Sequence, residues 1–301
     1  MINELVGLNI ELTNLCTLKC PGCPRTQIIN QWPNFWKNHS LDLDQLSQFL
    51  DIDLRGKMIT LCGNTGDCIY HPKFHEFLSW FKDRGCQIRI FTNGSYRTQD
   101  WWAKTVSYLD ESDMVIFSVD GLPENFTQYR INADWESIHT AMQICVDATC
   151  KTVWKYIVFN YNENDIPDAQ QLSKQIGIDI FRVETSSRFD DHTAQYIPIN
   201  KNNVDVKFTP QKLWKNNIQS TDVDPVCNDN NQHYISAEGY YSPCCYIADH
   251  RFYYKNEFGK NKKSYSIANH TLTQIITRPT VVEFYQDLTS KPVCQYNCPA
   301  T

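Results

Sequence analysis

The chain has 301 residues, 42% of them hydrophobic and 21% charged, with a formal net charge of -6 and 13 cysteines. That length suffices for one large domain plus a small one, since single cores usually stop growing near about 250–300 residues. The composition excludes a disordered chain, and the acidic balance argues against a protein whose whole surface grips nucleic acid or anionic lipid. Neither a basic-then-apolar leader nor a run of about 18 apolar residues is found, so the expectation is a cytoplasmic location with no membrane partner. Cysteines used in a sizeable chain of this kind favour metal or redox chemistry over a disulfide scaffold.

From residue 5 to about 190, short β-rich runs alternate with amphipathic segments. Strands are predicted at 8–12, 57–62, 86–92, 113–119, 152–159 and 178–183. Between them, Asp42 with Gln45 signals one helix start, and Phe74, Phe77, Leu78 and Phe81 fall on one face of another that stops near Gly85. Further helices carry Trp102 and Val106, then Ile138, Met142 and Cys145, then Ala169, Leu172 and Ile176 before Gly177. Repeated βα units demand a parallel sheet with right-handed crossovers, either a complete or partial barrel or an open doubly wound sheet. The unusual polar residues follow the strand ends, where such folds carry their sites: "GNTGD" (63–67), "TNGS" (92–95), "SVDG" (118–121), Asn160 and "ETSSR" (184–188). Asn93, Asn160, Glu184, Arg188 and His192 are candidate substrate contacts.

After residue 190 the pattern becomes rich in Asn, Asp, Lys and Pro, as in a linker. Residues 233–243 read as a hairpin turning near Gly239, and 272–288 as a helix interrupted around Pro279. The expected organisation is a core at 1–190, a linker at 191–226 and a small unit at 227–301. Within the last, "HRFYYKNEFGKNKK" (250–263) mixes cations with aromatics, a pattern able to grip a phosphate-bearing partner, and a solvated insertion is the simpler reading.

The first strand runs into "NLCTLKCPGCPRT" (14–26), which sets Cys16, Cys20 and Cys23 in a CxxxCxxC loop. Chance core thiols need no fixed spacing. A closed zinc site wants a fourth ligand, and the next downstream is His39 or a more distant residue. A cubane cluster on three thiolates instead leaves one iron with an open coordination position.

The run "IELTNLCTLKCPGCPRT" closely resembles the radical S-adenosylmethionine (SAM) superfamily. The resemblance implies a partial (β/α)6 barrel and a [4Fe-4S] cluster on Cys16, Cys20 and Cys23. It also implies that SAM chelates the open iron and is split reductively to a 5'-deoxyadenosyl radical. "GDCIYHP" (66–72) resembles the family's GGEP segment, which implies that Gly66 and Asp67 meet the SAM amino group, with Thr65 and Cys68 departing from the pattern. Gly22 stands where an aromatic is common, and its backbone is the implied adenine contact. "FTNGS", "FSVDG" and "YR" (129–130) resemble peptide-modifying members, implying Asn93, Ser118, Asp120 and Arg130 as cofactor contacts, with Ser118 and Arg130 at the SAM carboxylate and ribose.

Near the C-terminus Cys227, Gly239 and Cys244 fall in a CX9-15GX4C-like arrangement, with Cys294 and Cys298 beyond; by spacing alone zinc also suits these cysteines. After a radical SAM core the pattern resembles a SPASM domain cut down to its "twitch" form. That implies one auxiliary [4Fe-4S] cluster on Cys227, Cys244, Cys294 and Cys298, with Cys245 an alternative to Cys244. Cys62, Cys86, Cys145 and Cys150 read as core thiols. The implied enzyme abstracts hydrogen from a peptide or protein, or alternatively from a small molecule or nucleotide, using an electron donor such as flavodoxin or ferredoxin. A reading from a different class is a zinc-stabilised module binding RNA through the basic insertion.

Overall fold

The computed structural model describes residues 5–186, 189, 193–200 and 232–298. Cys227, Arg188 and His192, named above, lie outside the described residues. The strands are β1 (Gly7–Ile10), β2 (Met58–Leu61), β3 (Gln87–Thr92), β4 (Met114–Ser118), β5 (Lys151–Ile157), β6 (Ile180–Glu184), β7 (Gln232–Ile235) and β8 (Tyr241–Ser242). As expected from the alternation, β1 to β6 make a parallel sheet of six. β1 is flanked by β2 and β7 and β6 by β5 alone, so among the described residues the sheet does not close into a barrel.

The chain divides into two compact units, one of residues Met1–Leu15, Asn38–Gln87 and Asn217–Thr301, the other of Cys16–Lys37 and Ile88–Asn216. In the second unit β3, β4, β5 and β6 pair successively in parallel. Their helices are α1 (Pro24–Gln31), α4 (Gln99–Val106), α5 (Trp135–Val146) and α6 (Ile166–Ile176). One sheet face is aromatic: Phe117, Trp154 and Tyr156 are fully buried, and the Trp154 indole donates to Val119 O at 2.8 Å. α5 starts where the Asp134 carboxylate accepts the Ser137 N–H and buries Ile138, Ala141, Met142 and Cys145, the face predicted from spacing.

In the first unit β1 pairs in parallel with β2 and with β7, and β7 pairs antiparallel with β8 around the turn at Gly239, whose φ is +79°. A positive φ is nearly strain-free only for glycine, which explains the predicted turn. α2 (Leu43–Phe49) is capped by Asp42, which accepts from Gln45 N at 3.0 Å, and α3 (Phe74–Lys82) buries Phe74, Phe77, Leu78 and Phe81. The basic stretch is not simply solvated. It forms α7 (His250–Tyr253) and α8 (Glu257–Lys260) and buries Phe258, whose ring supplies apolar area that the cations do not, while Tyr254 stays exposed. The break at Pro279 separates α9 (Leu272–Ile276) from α10 (Pro279–Gln286), and α11 (Pro292–Asn297) follows. Among the described residues no helix is long and apolar enough to cross a membrane.

Candidate active site

The cysteine loop opens the second unit. Cys23 is the N-cap of α1, with Pro24 at the first helical position, where a missing N–H costs nothing. The loop is tied down by Cys23 N to Cys20 O at 3.1 Å and Lys19 N to Ile131 O at 3.0 Å. Cys20 is buried with Leu18, Tyr129, Phe159 and Phe189, and Cys16 and Cys23 pack on the same cluster. The Tyr129 and Phe159 rings stack at 4.1 Å. The Cys16 Sγ accepts from Leu18 N at 3.4 Å and from the Asn93 amide at 3.7 Å. Asn93 is thus brought to the cysteine loop.

Arg130 is brought there too, but in company. Its Nε donates to Asp120 Oδ2 at 2.6 Å, and the other Asp120 oxygen accepts from Ile157 N at 2.9 Å. Tyr161 and Asn162 donate to the Asp120 carbonyl. With both carboxylate oxygens engaged, Asp120 orients Arg130 and the β5 backbone. Burial pushes the Cys20 thiol up to about 12, against the pull of the Arg130 guanidinium. Burial opposes the Arg130 charge in turn, yet Asp120 and Cys20 together hold its pKa above the ordinary value. Ser118 ends β4 in register with Lys155 on β5. The Asn160 amide donates to Gln195 O at 2.7 Å.

Gly66 and Asp67 belong to the first unit, where they are held by a residue the sequence reading did not single out. Glu11, 4% exposed just past β1, accepts through Oε1 from Thr65 N at 2.7 Å, Thr65 Oγ1 at 2.8 Å and Gly66 N at 3.0 Å. Its Oε2 accepts from the Tyr234 hydroxyl on β7 at 2.7 Å. A Cβ at Gly66 would stand 2.0 Å from Thr13 O, so only glycine allows this close approach. Asp67 N donates to Leu15 O at 2.9 Å, fixing the loop to the residue before Cys16. The Asp67 carboxylate accepts from Ile69 N at 3.2 Å. The one available signal was a carboxylate inside the apolar run "LNIEL", since a buried charge needs dedicated partners.

Of the C-terminal thiols, Cys244 and Cys245 follow β8, while Cys294 and Cys298 lie one turn apart along α11 and its end, joined by Cys298 N to Cys294 O at 2.8 Å. Both of the latter are buried. The Cys245 side chain pulls the Cys244 thiol below its usual value, and Cys244 Sγ accepts from Tyr246 N at 3.2 Å. The Asn64 amide reaches Cys245 O at 3.0 Å. Cys86, Cys145 and Cys150 are buried as expected of core thiols, and Cys62 is half-buried. No disulfide joins the described cysteines, and among the described residues no group of three or more His, Cys, Asp or Glu side chains converges on a common point. Cys16, Cys20 and Cys23 nevertheless share one loop and pack on one apolar cluster. Their chemistry fits a thiolate-bound cluster, because N–H donors already aim at Cys16 Sγ.

No family model matches the sequence. SuiB of Streptococcus suis bound to S-adenosylmethionine superposes with a TM-score of 0.65 over 97% of this chain and 71% of its own, at 11% identity. SuiB bound to the precursor peptide SuiA gives 0.61 over 95% and 67%, at 13% identity. BtrN in complex with AdoMet and 2-DOIA gives 0.51 over 99% of this chain and 94% of that one, at 12% identity. The chain shares their fold. A curated relative in Pyrococcus furiosus, the tungsten-containing aldehyde ferredoxin oxidoreductase cofactor-modifying protein, is 30% identical over 125 residues. That match covers 38% of this chain and 31% of the relative.

Proposed function

We propose that the chain is a radical SAM enzyme that abstracts a hydrogen atom from a peptide or protein substrate. The observation that carries this reading is the single loop presenting Cys16, Cys20 and Cys23, packed on one apolar cluster with Asn93 at Cys16, in a fold shared with proteins solved with S-adenosylmethionine. Cys16, Cys20 and Cys23 would hold a [4Fe-4S] cluster, which when loaded supplies the electron that splits SAM to a 5'-deoxyadenosyl radical. The protein's own residues then have separable tasks. Asn93 donates to a cluster thiolate, Ser118 and the Asp120-oriented Arg130 bind SAM, and Gly66 and Asp67 receive its amino group. Tyr129, Phe159 and Phe189 exclude water from the loop.

The peptide preference is supported by the likeness to SuiB bound to SuiA; the likeness to BtrN with 2-DOIA supports a small-molecule substrate as the second reading. Cys227, Cys244, Cys294 and Cys298, with Cys245 an alternative to Cys244, would hold an auxiliary [4Fe-4S] cluster in a twitch-like unit at 227–301, following the core at 1–190 and the linker at 191–226. A flavodoxin or ferredoxin in the cytoplasm would supply electrons. The test is anaerobic reconstitution, iron and sulfide counts, and 5'-deoxyadenosine formation with a strong reductant. Replacing Cys16, Cys20 and Cys23 together by Ala abolishes 5'-deoxyadenosine and leaves the second cluster's absorbance. Undiminished product from that variant refutes the assignment.

A further inference from the structure

One charged pair on the sheet is not accounted for by the cofactor chemistry. Lys155 Nζ stands 2.5 Å from Glu184 Oε2, with the two side chains 23% and 33% exposed. Lys155 sits in the middle of β5, in register with Ser118 on β4 and with Arg182 on β6. Register partners in a parallel sheet share a face, so Ser118, Lys155 and Arg182 form one row. Glu184 is in register with Ile157 and makes up the next row on that face. Trp154 and Tyr156, which alternate with Lys155, are fully buried on the opposite face.

The row faces the cysteine loop. Ile157, two residues on from Lys155 and about 6.6 Å along the strand, packs on the cluster that carries Cys16, Cys20 and Cys23. Asn93, two residues past the Phe91 that pairs with Ile116, reaches Cys16. The charged pair is therefore one pleat repeat from the residues that surround the expected radical source. Stability is weak ground for its place, because replacing a buried ion pair by well-packed apolar residues of similar volume is often neutral.

We propose that Lys155 and Arg182, with Glu184 as resident counter-ion, bind a carboxylate of the substrate and so orient the carbon whose hydrogen is removed. Charge selects this chemistry. Two cations against one carboxylate leave one positive charge, which a monoanionic carboxylate neutralises and a dianionic phosphate overshoots beside Glu184. Glu184 itself displays the geometry of a carboxylate oxygen on the Lys155 ammonium, and the Arg182 fork is suited to the same group. The carboxylate comes either from an acidic side chain or from a chain terminus.

This rests on the radical SAM reading, and the experiment separates the two. Reconstituted wild-type protein is first assayed for 5'-deoxyadenosine with SAM and reductant alone; none formed refutes the radical SAM reading, while the titrations below judge the carboxylate site independently. Binding is then titrated with acetyl-Glu-amide against acetyl-Gln-amide, and with acetyl-triglycine against its C-terminal amide. The expected result is that one carboxylate probe binds about tenfold or more tightly than its amide, the pair that discriminates naming the source. Lys155→Met abolishes the preference, Lys155→Arg keeps it, and Glu184→Gln tightens carboxylate binding by freeing the ammonium, with thermal melts confirming that each variant is folded. Equal binding of carboxylate and amide, no binding of either probe, or a Glu184→Gln variant with unchanged affinity overturns the proposal.

Discussion

The Arg130 guanidinium meets Asp120 at 2.6 Å in a pair whose carboxylate side chain is wholly buried and whose arginine side chain is 16% exposed. Removing one partner strands the other. Asp120→Ala leaves a mostly buried cation and the Ile157 N–H uncompensated, and is expected to cost about 3–5 kcal/mol. Urea unfolding of the variant measures this, and a loss below about 1 kcal/mol, the worth of an exposed pair, would show that water compensates the charge.

Glu11 and Tyr234 pose the same problem at a neutral–charged contact. Glu11→Ala removes the acceptor for Thr65 N, Gly66 N and the Tyr234 hydroxyl at once. With about 1–3 kcal/mol for each buried donor left unpaired, a loss of at least ~3 kcal/mol is expected, together with weaker SAM binding because the Asp67 loop loses its anchor. Tyr234→Phe leaves Glu11 its three other hydrogen bonds and should cost about 1–2 kcal/mol. Equilibrium dialysis with labelled SAM and denaturant curves on both variants check the order.

At Gly66 the effect is steric. A methyl group 2.0 Å from Thr13 O cannot be accommodated without moving the backbone. Gly66→Ala should lose ~1–3 kcal/mol or more and raise the Kd for SAM. A variant of wild-type stability and affinity would mean that the loop has room the structure does not show.

Stability should also fall in mild acid through His233. Its ring is buried against the hydroxyls of Tyr241 at 2.5 Å and Tyr285 at 3.3 Å, and burial pushes the imidazole down from 6.5 to about 4. The unfolded chain therefore takes up a proton near pH 6.5 that the folded chain refuses until about pH 4. The contribution is complete above pH 6.5 and lost as pH falls through that window, by about 3 kcal/mol in all. Urea midpoints between pH 7 and pH 4 measure the slope, and His233→Gln should flatten it. An equal slope in that variant would assign the acid sensitivity to other groups.

Much of this molecule was legible along the chain. Each of the six predicted strands is present within a few residues of its place, the hairpin turns at Gly239, and Pro279 opens a new helix. These features are local: alternating burial, capping groups and restricted φ act within a few residues, so sequence order encodes them directly. The cysteine loop was legible for the same reason, since its spacing is a property of a single turn.

The partners of the buried charges were not. Glu11 and Tyr234 meet across 223 positions because β7 lies parallel to β1, a pairing that no periodicity announces. The resemblance implied Arg130 as a cofactor contact, but its lock to Asp120 depends on how the turn after β4 is held, and Lys155 gained significance only from its register with Ser118 and Arg182. By itself, the sequence determined the six strands of the parallel sheet and the helices between them, and that three thiols share one loop. Tertiary structure alone decided which charges neutralise one another and which face of the sheet is polar, because desolvation and Coulomb attraction depend on distances in space and not along the chain.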